Sequence, residues 1–507
     1  MARGKWRGGA DDRSVRPPVL GRREVLRRGI GMGAGLLAGG ALGAGRPRRA
    51  PARDRTSEAD PRVVVVGAGL AGLAAAHRIH RLAGWVPEVY EAQDRVGGRV
   101  RTIRGLAGGR TAEAGGGGIS TGDAVIRGLC DELGLPPLAD TWSGYPDGPE
   151  VSFYLGRRRA WGRIGDGVRE VRSAASRAWV EIGRRIPTHR NANASARRYD
   201  RMTVADFVRE HTSSRVARAY LEQEFSMEYG GPADRASALH LILESAGFWG
   251  PARNYDERLA VPGGNDTVAS ALEEALPPGA VRRGQALVAV RADAGGATLT
   301  FDEDGVAHDV AADVVVLAIP FSTLRLADLS GAELSPVKLR AIDETGIGTG
   351  VKMNLQFEPR PWARHGDSGD ANTDLVIGTT WQSSEQQGPS VLVSLSNLTR
   401  ATGVAHGTAP PEVLEAALDA IEMLWPGARA DFVDGQAYLD EWPSDPWALG
   451  SYSFSPPGGF TSYGGAEAGA SGPLHFAGEH TAPYAKGGTM EGAVRSGERA
   501  AREVVGA

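Results

Sequence analysis

Hydrophobic and polar positions follow two different periods along this chain. Arg62 to Val66 is a β-branched run of strand length. Glycines at 67, 69 and 72 follow it, then an alanine-rich helical stretch, Leu73 to Leu82, and a second strand, Pro87 to Tyr90. From about residue 120 to 257 the helical period dominates, with helices predicted at Val125 to Leu133, Val168 to Ile186, Val204 to His211 and Ser214 to Glu224. Strand signals return at Ala286 to Val290, Ala297 to Phe301 and Val314 to Ile319. A mixed stretch, about 335 to 430, holds strand-like Gly350 to Phe357 and Ser390 to Leu395 and an amphipathic helix, Pro411 to Leu424. Gly487-Gly488 breaks the chain before a last helix, Thr489 to Val505. No internal repeat is visible.

The first of these segments carries chemistry. Gly67, Gly69 and Gly72 stand between a strand and a helix at dinucleotide-binding spacing. The first glycine permits the tight turn, the second lets backbone approach a pyrophosphate, and the third lets helix and strand pack closely. The pyrophosphate would meet a helix N-terminus, where unpaired N–H groups and the dipole favour an anion. Glu91 follows the second strand, where an acid bonds ribose hydroxyls. This unit therefore reads as the site for the ADP half of a dinucleotide. The last helix, starting after Gly487-Gly488, reads as the holder of the other half. The pair favours flavin over nicotinamide.

Composition adds limits. A chain of 507 residues with 41% hydrophobic and 23% charged positions allows two or three globular domains. Its single cysteine, Cys130, falls in the apolar pattern of Val125 to Leu133, excludes an intramolecular disulfide, and reads as core. No Cys/His cluster has metal-ligand spacing. The N-terminus stands apart. Gly21-Arg-Arg-Glu-Val-Leu-Arg27 is a twin-arginine pattern, followed by the glycine-rich apolar run Gly29 to Gly45 and by Ala50-Pro-Ala52, an A-x-A site. Residues 1–52 resemble a twin-arginine export signal, which predicts a secreted or cell-envelope protein without a stable membrane anchor. They carry 12 basic and 3 acidic groups out of 57 and 61, leaving 45 and 58 and a net charge of −13. So acidic a chain is a poor partner for nucleic acid.

Six ordered motifs then point to one family: Arg62 to Arg99, Val261-Pro-Gly-Gly264-Asn265, Ala318-Ile-Pro320, Val351-Lys352, Trp442 to Tyr452, and Leu474 to Gly497. With them the chain resembles the flavin-dependent amine oxidases, the superfamily of monoamine oxidases, L-amino-acid oxidases and polyamine oxidases. The resemblance implies an α/β protein in which a Rossmann-type FAD-binding domain (60–135, 259–319 and 440–507) interleaves with a mixed α+β substrate-binding domain (136–258 and 320–439). It places Gly67, Gly69, Leu70, Ala71 and Gly72 on the pyrophosphate and Glu91 with Ala92 on the ribose. It adds Gly98, Arg99, Gly115 and Gly116 along the cofactor, and Leu287 at the adenine. Gly478 and Glu479 would meet the pyrophosphate and ribityl chain, with Thr489 and Met490 at the flavin N1 and C2 carbonyl, where charge collects on reduction.

The same resemblance nominates catalytic residues. The chain keeps four lysines (5, 338, 352 and 486) among 57 basic side chains. Lys352 would hold a water beside flavin N5 and assist reoxidation by oxygen. Trp442 would pack beside the flavin ring, and Tyr452 would form one wall of an aromatic cage. The facing wall is Thr489 where monoamine oxidases have an aromatic residue, which predicts a one-sided, roomy cage. Ser451 stands where those enzymes tether flavin through cysteine, which predicts noncovalent FAD. Gly118 stands where L-amino-acid oxidases often carry a carboxylate-clamping arginine, which favours amines over amino acids. The expected reaction is hydride transfer from the amine α-carbon to flavin N5, giving imine and then aldehyde, ammonia and hydrogen peroxide. The partners are a small amine and oxygen, and a homodimer is compatible. The alternatives are an L-amino-acid oxidase, a flavin C–C desaturase, and a non-catalytic flavin-binding protein.

Overall fold

A computed structural model describes residues 60–141, 148–246, 256–383, 390–397 and 402–506. The export-signal reading, on residues 1–52, lies outside them. Five parallel strands form one sheet in the order Leu474–Phe476, Val314–Leu317, Val63–Val66, Glu88–Tyr90 and Val281–Arg282. Val63–Val66 is central and wholly buried. Its alternation splits between two cores. Val63 and Val65 pack with the helices Leu70–Ala83 and Met490–Val505. Val64 and Val66 pack with Val290, Leu299 and Phe301 of a four-stranded sheet on the other side. A strand covered on both faces reads as a continuous apolar run, which is why all four positions are valine. The two helices cross so closely that a Cβ on Gly497 would lie 2.2 Å from the Ala71 carbonyl oxygen.

The second sheet has eight strands in the order His406–Thr408, Phe432–Glu441, Gly350–Phe357, Ser390–Asn397, Thr379–Gln382, Ala371–Thr373, Val151–Tyr154 and Arg157–Arg158. In Gly350–Phe357 the odd residues Val351, Met353 and Leu355 join Leu418 and Ile421 of the helix Pro411–Leu424 in one apolar cluster. The even residues Lys352 and Gln356 bond the opposite side, to the carbonyls of Gly115 and Ala107. This strand therefore turns a buried polar edge toward residues 107–115.

Several elements depart from the pattern-based reading. The helix expected over Val168–Ile186 runs Trp161–Glu181, because Gly183 (φ +86°) follows its end. The helix expected to stop at Glu224 continues through Arg215–Tyr229 to Gly230 (φ +66°), capped at its start by Ser214 and lengthened by the buried stack of Phe225 on Tyr229. Within the largely helical middle, Val151–Tyr154 and Arg157–Arg158 are strands of the eight-stranded sheet. Arg157–Arg158 pairs with Val151–Tyr154, whose other partner, Ala371–Thr373, lies some 220 residues away, a pairing that local periodicity does not contain. Among the described residues no helix is long and apolar enough to cross a membrane, and no cluster could hold a metal ion.

Candidate active site

The nucleotide end begins where Val63–Val66 stops. Gly67 has φ +99°, and a Cβ on Gly72 would lie 1.9 Å from the Gly67 carbonyl oxygen, so helix and turn touch there. Gly69, by contrast, faces open space: a Cβ there would meet nothing within 4 Å. It is the N-cap of Leu70–Ala83, and no side chain caps that helix. The first bond in the helix is from the Leu73 N–H to the Gly69 carbonyl, so the N–H groups of Leu70, Ala71 and Gly72 precede the ladder. An uncapped first turn facing empty space is what a pyrophosphate needs.

Glu91 is buried and accepts the N–H groups of Ala68 (2.7 Å) and Gln93 (2.8 Å), which ties the second strand to the glycine turn, with Ala92 between. Gly98, at φ +58°, leaves 3.3 Å between its missing Cβ and Gly69 Cα. Arg99 donates to Ser451 O (2.6 Å) and Glu479 Oε1 (2.9 Å). Glu479 also accepts Ser453 Oγ (2.7 Å) and Gly488 N–H (2.7 Å). Burial pushes its carboxyl pKa up, but Arg99, His480 and Ser453 outweigh burial and hold it below the usual range. The Gly478 N–H donates to Ser496 Oγ at 2.8 Å. Leu287 lies apart from this group, on the four-stranded sheet, at a register shift in its pairing with Gly296–Glu303.

The other end is a wall of glycines. A Cβ on Gly115 would lie 3.0 Å from Trp442 Cζ2, one on Gly116 2.9 Å from Met490 Cγ, and one on Gly117 3.4 Å from Lys352 Nζ. Trp442 Nε1 donates to Ala114 O at 3.0 Å, and Lys352 Nζ to Gly115 O at 2.6 Å. Trp442 and Lys352 thus converge on one peptide segment. Lys352 is 9% exposed, and burial lowers its pKa against the opposing pull of Glu113, Glu257 and Asp440. Glu113, bonded to the Asn265 N–H (2.9 Å) and Thr102 Oγ1 (3.1 Å), is pushed up to about 7 by burial. Tyr452 donates its hydroxyl to Met227 O, and its ring lies against Gly230 and Gly488. Thr489 commits its hydroxyl to the helix: it donates to Lys486 O (2.8 Å) and accepts the Gly492 N–H (2.9 Å).

Sequence reasoning missed Glu113, Glu257, His406, Asp440 and Asp445. Asp445 lies within the motif Trp442 to Tyr452 and Asp440 two residues before it, which was the available signal. His406 and Glu257 lie in no motif, and only tertiary contact brings them in. The donor set fits a flavin dinucleotide: an anion-binding turn at one end, a glycine-lined slot in the middle, and at the far end a helix N-terminus with Met490 and Glu491 before its first bond, Ala493 N–H to Thr489 O.

Comparison with known proteins agrees. The profile of the flavin-containing amine oxidoreductases matches residues 70–505. A Mycobacterium tuberculosis protein named AofH, classed with the flavin-containing monoamine oxidases, is 30% identical over 462 residues, 87% of this chain and 96% of its own. A putrescine oxidase structure with bound putrescine superposes with a TM-score of 0.73 at 25% identity, over 88% of this chain and 99% of that one. Cyclohexylamine oxidase from Brevibacterium oxydans IH-35A shares the fold, with a TM-score of 0.76 at 21% identity and the same coverages. The chain belongs to the flavin-containing amine oxidoreductase family, and the protein is an FAD-dependent amine oxidoreductase.

Proposed function

We propose that this protein is an exported oxidase of amines that converts an amine, oxygen and water to aldehyde, ammonia and hydrogen peroxide, using noncovalently bound FAD. When bound, the flavin supplies the acceptor for the hydride leaving the carbon beside a neutral amine. The chain's own residues set the conditions. Trp442, which is buried, and Tyr452, whose ring lies against Gly230 and Gly488, offer flat faces that strip water from the incoming amine. Lys352, fixed on Gly115 O, keeps two further donors with which to hold a water, and its lowered pKa eases proton exchange at Nζ. Ser451 offers a hydroxyl, bonded by the Gly350 N–H at 3.2 Å, and the only cysteine, Cys130, is buried in the helix Ala124–Glu132. Neither provides a thiol tether.

One observation favours amines over amino acids. A Cβ on Gly118 would lie 2.4 Å from Glu257 Cβ, so position 118 has no room for a carboxylate-clamping side chain. Glu257 fills that space with negative charge and acts electrostatically on both Lys352 and Tyr452. A substrate carboxylate would meet a like charge there, whereas an amine without one would not. The putrescine oxidase likeness supports an amine substrate as well.

A peroxide-coupled panel of monoamines, diamines and α-amino acids tests this reading. Peroxide should form with amines, and Glu257→Gln should raise the weak kcat/KM for amino acids relative to amines. Peroxide from amino acids alone would overturn it. FAD should appear in the supernatant after acid precipitation. Export rests on Arg22 and Arg23, and replacing both with lysine should leave flavin-loaded enzyme inside the cell.

A further inference from the structure

His406 opens the strand His406–Thr408 and lies opposite Asp440 of Phe432–Glu441, which lies opposite Lys352. Directly opposed residues on antiparallel strands share a face, so His406, Asp440 and Lys352 form one row across the sheet. The ring makes two contacts: Nδ1 is 2.9 Å from Asp440 Oδ1, and Nε2 is 3.0 Å from Asp445 Oδ2. Both aspartates are buried, at 1% and 3% exposure. A neutral imidazole has a single N–H and would turn a lone pair on one of these carboxylates. Only the imidazolium satisfies both.

The surrounding charges agree. Burial opposes a charge on the ring, but hydrogen bonds to Asp440 and Asp445 outweigh it and raise the pKa, while Asp445 is held low. The other charged groups facing the pair are Arg101, 3.1 Å from Asp440 Oδ1, Lys352, which acts on Asp440, and Arg95 and Glu91, which act on Asp445.

The two aspartates bracket a single segment, Asp440-Glu-Trp442-Pro-Ser-Asp445, which leaves the strand through a 3-10 turn. The imidazole therefore ties the start of that turn to its end. Its ring stands 4.6 Å from the Trp442 indole at 70°, and Trp442 in turn bonds the segment that Lys352 bonds.

We propose that His406 is a positioning residue: as an imidazolium it staples Asp440 to Asp445 and so fixes the turn that holds Trp442 against Ala114 and Gly115. The staple is complete below the ordinary histidine range and is lost as pH rises through the raised value. This rests on family membership and the geometry, not on the identity of the amine.

The test uses flavin-loaded wild type, His406→Gln and the permanently cationic His406→Arg. Four quantities are followed against pH: the temperature at which flavin fluorescence is released, kcat, KM, and the ring N–H resonances of 15N-histidine-labelled protein, assigned by their loss in His406→Arg. In wild type, two protected N–H resonances should persist above the usual histidine pKa and disappear together as the release temperature and kcat fall. His406→Gln should lower kcat about tenfold, the size of one charge-assisted hydrogen bond, with KM little changed and the pH dependence flattened. His406→Arg should restore both the release temperature and kcat. A single protected N–H in wild type overturns the proposal, as does a His406→Gln enzyme indistinguishable from wild type. If that variant does not fold, the wild-type titration and His406→Arg decide alone.

Discussion

At the scale of single residues, the chain concentrates its unusual choices in one place. Lys352 is a buried lysine in a protein that otherwise prefers arginine, and its ammonium rests on the glycine wall. Lys352→Met should slow reaction of the reduced enzyme with oxygen by roughly a hundredfold, about 3 kcal/mol of lost transition-state stabilisation, and should leave anaerobic reduction by amine much less affected. Stopped-flow measurement of the two half-reactions checks it. Thr489 was expected as a small wall opposite Tyr452, and its hydroxyl proves to be the cap of Met490–Val505. Thr489→Tyr should therefore do two things. It should shift the ranking of kcat/KM toward small primary amines and away from N-substituted ones. It should also lose the cap, costing about 1 kcal/mol by thermal denaturation. An unchanged amine ranking would remove Thr489 from the substrate path. Lysine scarcity and the missing cysteine at 451 were legible in the sequence because they concern identity alone. The imidazolium at His406 was not, because two of its bonds reach residues 34 and 39 positions away.

At the scale of elements, local pattern and long-range pairing part company. The valine run, the glycine turn and the helix after it were readable because strand, turn and helix are consecutive and each obeys its own period. Pro411–Leu424 and Gly350–Phe357 also carry their periods openly, and both bounds match. Val151–Tyr154 was not readable, since its ladder partner comes from Ala371–Thr373. The helices expected to end at Ile186 and Glu224 end instead beside glycines with positive φ, Gly183 and Gly230. The closest helix crossing offers a test at this scale. Gly497→Val would drive a branched side chain into the Ala71 carbonyl, now 2.2 Å from the position of a Cβ. Overpacking of this kind typically costs about 1–3 kcal/mol. Because Ala71 belongs to the uncapped first turn of the other helix, the variant should also weaken FAD retention, measured as flavin content after dialysis.

For the whole molecule, buried ionisable groups give stability a pH dependence that surface charge does not. Glu113 carries a pKa of about 7 against an ordinary carboxyl near 4.5, so the folded protein holds its proton where the unfolded chain would release it. Its contribution is present below the ordinary value and is lost as pH rises through about 7. Lys338 runs in the opposite sense. Burial lowers it to about 7, so the folded state gains from neutral lysine as pH rises from there toward the ordinary lysine value. Glu113→Gln should therefore flatten the melting temperature between about pH 4.5 and 7, its stability relative to wild type improving as pH rises. Calorimetry across that range checks it, and a wild-type slope left unaltered by the substitution would refute the assignment.

The interleaving of the five-stranded sheet also sets an order in time. The glycine turn at 67–72 leaves the ribosome about 400 residues before the strand Leu474–Phe476 and the helix Met490–Val505. The nascent chain can form its central strand, but it has no closed groove until that helix has been made. Cofactor capture therefore follows synthesis of residue 505, and a bound flavin reports that the glycine turn and the distant helix have met. A prematurely terminated product lacking the last helix would leave the ribosome colourless, marked as incomplete by the absence of yellow.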